Sequence, residues 1–158
     1  MNLLPLITWI ESTAMGTAIR ESTWLFPFIE AGHLLALSLM GGAVLIVDLR
    51  MMGWGMRRLS ASQISRDVHP WLVGSLLGLI VTGVLLFMSE ATKCYFNPAF
   101  WVKMGFLVAG TLYTFTVRQR VALAGGAEVD PARARLVAIG SVFLWSGVGI
   151  AGRAIGFY

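Results

Sequence analysis

Residues 24–47 read WLFPFIEAGHLLALSLMGGAVLIV. As a helix, this stretch is long enough to cross the roughly 30 Å hydrocarbon core of a bilayer. Three further stretches share its character: 70–89, 98–117 and 136–158. Helix is the spanning form, because transmembrane β-strands would be shorter and alternate in polarity. The composition agrees. Of 158 residues, 57% are hydrophobic and 13% charged, against a charged fraction of about 25% in ordinary domains. A soluble domain this small has too much surface per volume to hide so many apolar side chains. A soluble globular domain and a disordered tail are therefore excluded. The single cysteine, Cys94, excludes a disulfide scaffold. The expected fold class is an all-α membrane protein, one domain, with a four-transmembrane-helix bundle.

Ahead of the first span, residues 2–20 carry an apolar run, Leu3 to Ile10, that is too short to cross. It has no basic leading region, so it does not read as a signal peptide. Asn2 can cap a helix and Pro5 is tolerated in a first turn. The segment reads as an amphipathic helix lying on the membrane surface, with Trp9 at headgroup level. A frayed terminus is the alternative.

Orientation follows from the basic residues. Arg50, Arg57, Arg58 and Arg66 connect the first two spans; Arg118, Arg120, Arg133 and Arg135 connect the last two. The remaining segments outside the spans hold only Arg20 and Lys93. The positive-inside rule then makes the arginine-rich loops cytoplasmic and both termini external, which in a bacterial inner membrane means periplasmic. The net charge of +4 reflects topology rather than nucleic-acid binding. Gly125-Gly126 and Asp130-Pro131 are turn signals in the third loop.

Small residues recur inside the spans: Gly74, Gly78 and Thr82; Gly152 and Gly156; Gly32, Ala36 and the pair Gly41-Gly42. Such spacing lets helix backbones approach closely in lipid. The same glycines would leave room for a flat cofactor. Trp24, Trp71, Trp101 and Tyr158 fall near span ends, as interface anchors do.

The informative residues are those that lipid should exclude. Only Glu30, Lys103 and Arg153 are charged within the four stretches, joined by His33. Such groups face the bundle interior, a partner or water. Glu30 and His33 are three apart and share a helix face. His33 lies roughly 13 Å past Trp24, Lys103 roughly 8 Å past Pro98 and Arg153 roughly 8 Å before Tyr158, at 1.5 Å per residue. All four converge on the outer leaflet. Asp48 and Arg50, at the inner end of the first span, read as a local ion pair or loop anchor, with nothing in the inner leaflet to match the outer set. His69 precedes Pro70 at the inner end of the second span, roughly 20 Å from His33 across the membrane. One iron cannot bridge the two within a chain, so His69 reads as an interface residue. A purely structural reading stays open, with Glu30 paired to Lys103 or Arg153 and the basic side chains snorkelling.

The chain has no Cys-x-x-Cys, His-x-x-x-His, Walker-type glycine loop or nucleophile-elbow serine. Met51, Met52 and Met56 cluster on the inner side, but methionine is an ordinary span residue and the copper signal is weak.

The segments FIEAGHLLAL (28–37), Gly41-Gly42, Val47-Asp48-Leu49-Arg50, TGVLLF (82–87), NPAF (97–100) with Lys103, and AGRAIG (151–156) resemble an uncharacterised family of small four-helix bacterial membrane proteins. A second resemblance concerns fewer residues. His33 in the first helix, the glycine pair eight residues on, Arg50 at the helix end and Lys103 opening the third helix are similar to HemJ-type protoporphyrinogen oxidases. The histidine-to-glycine part also resembles CopD-type copper-resistance membrane proteins. Met40 stands where both of those families often have tryptophan. HemJ-type proteins bind haem b. The resemblance implies that His33 is an axial iron ligand and Lys103 its partner, acting as second ligand. Arg153 is then placed to meet a propionate, and Glu30 to accept the other ring proton of His33.

The leading expectation is a haem b-binding membrane protein with a redox or electron-transfer role at the periplasmic side. Whether it is an oxidoreductase in its own right is left open. The alternatives are an ion or copper transport module using Glu30 and His33, or a structural subunit of a larger complex. Expected partners are membrane lipid, further copies of the chain and a redox partner protein, with no nucleic acid.

Overall fold

The structure, a computed structural model, describes residues 3–55, 58–124 and 129–157. Asn2, Met56, Arg57, the Gly125-Gly126 turn and Tyr158 lie outside the described residues. Two short helices, α1 (Leu4–Glu11) and α2 (Ala14–Glu21), precede α3 (Leu25–Met51) and α4 (Ala61–Ser89). A short α5 (Ala91–Phe96) leads into α6 (Pro98–Tyr113). That helix continues through one π-helical turn, Thr114–Arg118, into α7 (Gln119–Ala124). The last helix is α8 (Pro131–Ala154), closed by a 3-10 turn, Ile155–Phe157. Four segments are long and apolar enough to cross a membrane: Leu25–Met51, Ala61–Ser89, Pro98–Ala124 and Pro131–Phe157. The protein is an all-α, multi-pass bundle. α1 and the closing turn of α8 lie at one end, called here the terminal end; the other is the arginine end.

Capping, rather than hydropathy, sets where the spans begin. Ser60 accepts from Gln63 N at the start of α4, Asn97 from Ala99 N at α6, and Asp130 from Ala132 N at α8. The arginine-end turns of α4, α7 and α8 therefore extend past the apolar stretches. Pro70 does not open a helix but sits inside α4.

The N-terminal segment is two helices rather than one. Thr13 breaks the first by capping the second: its hydroxyl donates to Ile10 O at 2.7 Å and accepts from Gly16 N at 3.3 Å. α1 packs on α5 and α2 on α4. Gly16 is tightly seated, since a Cβ there would lie 2.7 Å from Met88 O and 2.8 Å from Glu11 O. Trp9 stays exposed, as a residue at the lipid surface would.

Glu11 fastens this strap. Its carboxylate accepts from Thr92 N at 2.8 Å and pairs with Arg20 at 3.2 Å, while Arg20 reaches Ser89 O at 3.5 Å. The Thr92 hydrogen bonding, and secondarily Arg20, holds the Glu11 carboxyl below its usual range. A depressed carboxylate contributes stability above its unfolded pKa and loses it as pH falls through the folded value. The strap is therefore expected to loosen on acidification below the ordinary carboxylate range. Hydrogen exchange at the Thr92 amide should rise there, and Glu11→Gln should flatten that pH dependence.

Two antiparallel pairs, α3 with α4 and α6 with α8, build the bundle, with α3 also packing on α8. In the second pair, side chains sit over glycines in register. Tyr113 Oη is 2.8 Å from where a Gly140 Cβ would stand, Trp145 lies 3.5 Å from that of Gly110, Phe106 2.6 Å from Gly147, and Lys103 3.8 Å from Gly152. In the first pair, Ala36 lies 3.5 Å from a Gly78 Cβ and His33 3.4 Å from a Gly83 Cβ. Gly78 and Gly152 thus serve close packing, as their spacing suggested. Gly41, Gly42 and Gly74 do not; a Cβ on any of them meets open space.

The tight core sits toward the arginine end. One cluster joins Val47, Met51, Ile64, Val121, Ala122, Val137 and Ala138; a second joins Ala43, Val44 and Leu72. On α3 the buried residues begin at Met40. The third span meets α4 chiefly through α7. The two helix pairs are therefore pinned together at the arginine end and are more loosely joined near the termini.

Candidate functional site

His33 sits on the terminal half of α3, half-buried against α4. Its Nδ1 is 2.8 Å from Thr82 Oγ1. That hydroxyl already donates to Gly78 O at 2.6 Å. A hydroxyl has one proton to give, so Thr82 accepts from the ring and Nδ1 carries the hydrogen. Nε2 of the neutral imidazole is then an unprotonated lone pair. Gly83 provides the close approach, with His33 Cε1 only 3.4 Å from the place its Cβ would occupy. Such an oriented imidazole, anchored through one nitrogen and open at the other, is the form in which histidine binds a metal.

Lys103 lies near enough to His33 for their charges to interact, and its Cδ and Cε pack 3.8 Å from a Gly152 Cβ. It is half-buried and has no carboxylate partner among the described residues. Cys94 neighbours it from α5. Burial pushes the Cys94 thiol up, with Glu90 adding to the effect, so it is a poor nucleophile. Thus His33 and Lys103 lie in the same half of the bundle, within electrostatic range of each other. Glu30 and Arg153 do not join them. Glu30 is exposed, and the ring proton it was expected to accept goes to Thr82. Arg153 is exposed, with its guanidinium 5.1 Å from the centre of the Phe157 ring. Neither pairs with the other or with Lys103 among the described residues.

The arginine-end half holds what the sequence reading missed. Asp48 does not pair with Arg50, whose Nε donates instead to Leu59 O at 2.7 Å. It pairs with Arg118 at 2.6 Å, and Arg118 also donates to Val44 O at 2.8 Å. The two side chains are 0% and 1% exposed, so this is a buried ion pair rather than a loop anchor. Ser141 stands close enough to interact with Asp48. Yet Asp48 Oδ2 and Ser141 Oγ both lack a hydrogen-bond partner of good geometry. Beside them Trp145 Nε1 donates to Thr114 Oγ1 at 3.0 Å and Tyr113 Oη to Val137 O at 3.1 Å.

Arg118 lies inside the bundle at the end of the π-helical turn. Gly110 and Thr114 face the interior. Thr114 and Arg118 are four residues apart, so even an unbroken α-helix would set them about 40° apart on one face. The wider turn holds an extra residue; Val117 is 40% exposed and Arg118 1%. His69, toward the same end, lies 3.4 Å from Gln119 Nε2 through Nδ1 and stands edge-on to Phe115, away from His33. No group of three or more His, Cys, Asp or Glu side chains suited to a metal ion occurs among the described residues.

These features define a four-span helical membrane protein with a histidine site in one half of the bundle and a buried ion pair in the other. The chain belongs to DUF6644, a family of unknown function, whose profile matches residues 6–158. No curated protein and no solved structure matches it.

Proposed function

We propose that the protein binds haem b through His33, in the terminal half of the bundle, and serves a redox or electron-transfer role there. The observation that carries this reading is the His33–Thr82–Gly78 hydrogen-bond chain. It fixes the Nδ1–H tautomer and leaves Nε2 free, which is what axial ligation needs. His33 Nε2 would hold the iron, and Lys103, which has no carboxylate partner among the described residues, stands in the same half of the bundle. When bound, the iron supplies one-electron chemistry. The chain's own part is to orient the imidazole, exclude water with surrounding apolar helix faces, and present Lys103 as second ligand or as a charge beside the cofactor. An oxidoreductase activity is a further step on the same site.

The protein is placed by this proposal in a bacterial inner membrane, with the arginine end cytoplasmic and the terminal end periplasmic. A redox partner would then dock on the periplasmic side. The transport reading rests on Glu30 and His33 forming one polar path, and Glu30 is exposed and takes no part in His33's hydrogen-bond chain.

The test is the absorption spectrum of protein purified in detergent from haem-supplied cells. A Soret band and a pyridine-haemochrome signal are expected, and a colourless protein would sink the reading. His33→Ala should abolish most of the haem signal. Thr82→Val keeps the side-chain shape but removes the acceptor for Nδ1–H, and haem affinity should fall about 10–100-fold. Unchanged affinity in Thr82→Val would mean that this chain does not orient the ligand.

A further inference from the structure

A groove runs between α6 and α8 on the outer wall of the terminal half. It holds about 530 Å³ and is lined almost wholly by apolar side chains, among them Val102, Phe106, Phe143, Ile150 and Ala154. We propose that it binds one anionic phospholipid, with an acyl chain in the groove and the phosphate on Arg153. The reading is independent of haem binding.

Length favours an acyl chain. Phe143 to Ala154 is about 16 Å along a helix, close to the hydrocarbon depth of one leaflet, half of a core of about 30 Å. An apolar recess at that depth does not fill with water, so a chain of matching length is its natural occupant. Charge favours an anionic headgroup. Arg153 does not line the groove but precedes Ala154, a lining residue, in the last turn of α8, and its exposed guanidinium stands over Phe157. Of the other cations at this end, Arg20 is paired with Glu11 and Lys93 with Glu90. Lys103 packs on Gly152. Arg153 has no carboxylate partner among the described residues. A guanidinium takes a phosphate bidentately at headgroup level. A zwitterionic lipid brings its own ammonium and competes less well.

Native mass spectrometry of delipidated protein tests this, with phosphatidylglycerol, phosphatidylcholine or inorganic phosphate added in turn. The expected result is one retained phosphatidylglycerol per chain, favoured about tenfold over phosphatidylcholine, with no retained phosphate. Arg153→Gln alters only an exposed side chain and should erase the preference while lipid still binds. Ala154→Trp fills the groove and should remove the retained lipid. Retention unchanged in Ala154→Trp, or preference unchanged in Arg153→Gln, overturns the proposal. So does phosphate bound without lipid, or a dimer that Ala154→Trp splits, which would make a second copy the occupant of the groove.

Discussion

Replacing Arg118 with methionine is expected to destabilise the protein by about 3–5 kcal/mol. The substitution leaves the Asp48 carboxylate 0% exposed with no counter-charge, and frees Val44 O, which Arg118 also caps. Oδ2 already lacks a good partner, and the neighbouring Ser141 hydroxyl offers no counter-charge. Methionine matches the arginine stem in length, so the loss measures charge and hydrogen bonding rather than a cavity. Unfolding in mixed detergent micelles, followed by helical circular dichroism, reads the change. The double replacement Asp48→Leu with Arg118→Met removes both charges together. If the pair is structural only, stability should return to within about 1 kcal/mol of the wild type or exceed it, as happens when buried pairs give way to apolar residues. A single replacement as stable as the parent would mean that the pair is not buried in the membrane.

Gly147→Ala should cost about 1–3 kcal/mol by overpacking. Its new Cβ would stand 2.6 Å from Phe106 Cδ1 and Cε1, atoms of a rigid ring that must shift as a whole. Alanine is otherwise the better helix former by about 1 kcal/mol, so the expected sign runs against propensity. Gly105→Ala and Gly149→Ala meet open space and should be neutral or mildly stabilising. Phe106→Leu should relieve Gly147→Ala. Thermal unfolding of the three glycine variants separates the cases; equal effects at all three would rule out a specific knob-into-glycine contact.

Much of this architecture was readable before any coordinates. Long apolar runs with few charges admit one solution in a bilayer, since every backbone polar group must be satisfied within its own segment. His33 and Lys103 also stood out, because lipid makes an ionisable residue conspicuous. What failed was grouping by depth alone. Glu30 and Arg153 share a depth with His33 but are exposed where His33 is half-buried. Helix phase relative to a neighbour, not position along the axis, decides contact. Thr82, the residue that orients His33, looked like another small packing residue.

The sequence by itself determined the solvent and the number of spans, and set His33 and Lys103 at similar depth, because hydrophobicity and 1.5 Å per residue are local properties. Only the tertiary structure decided which charges meet. A single extra residue in the turn Thr114–Arg118 rotates the last third of that helix. Arg118, expected in a loop, stands in the core of the continued helix, opposite an aspartate 70 positions earlier. No local pattern announces that turn: it is held by contacts among three helices, and those exist only once the bundle has formed.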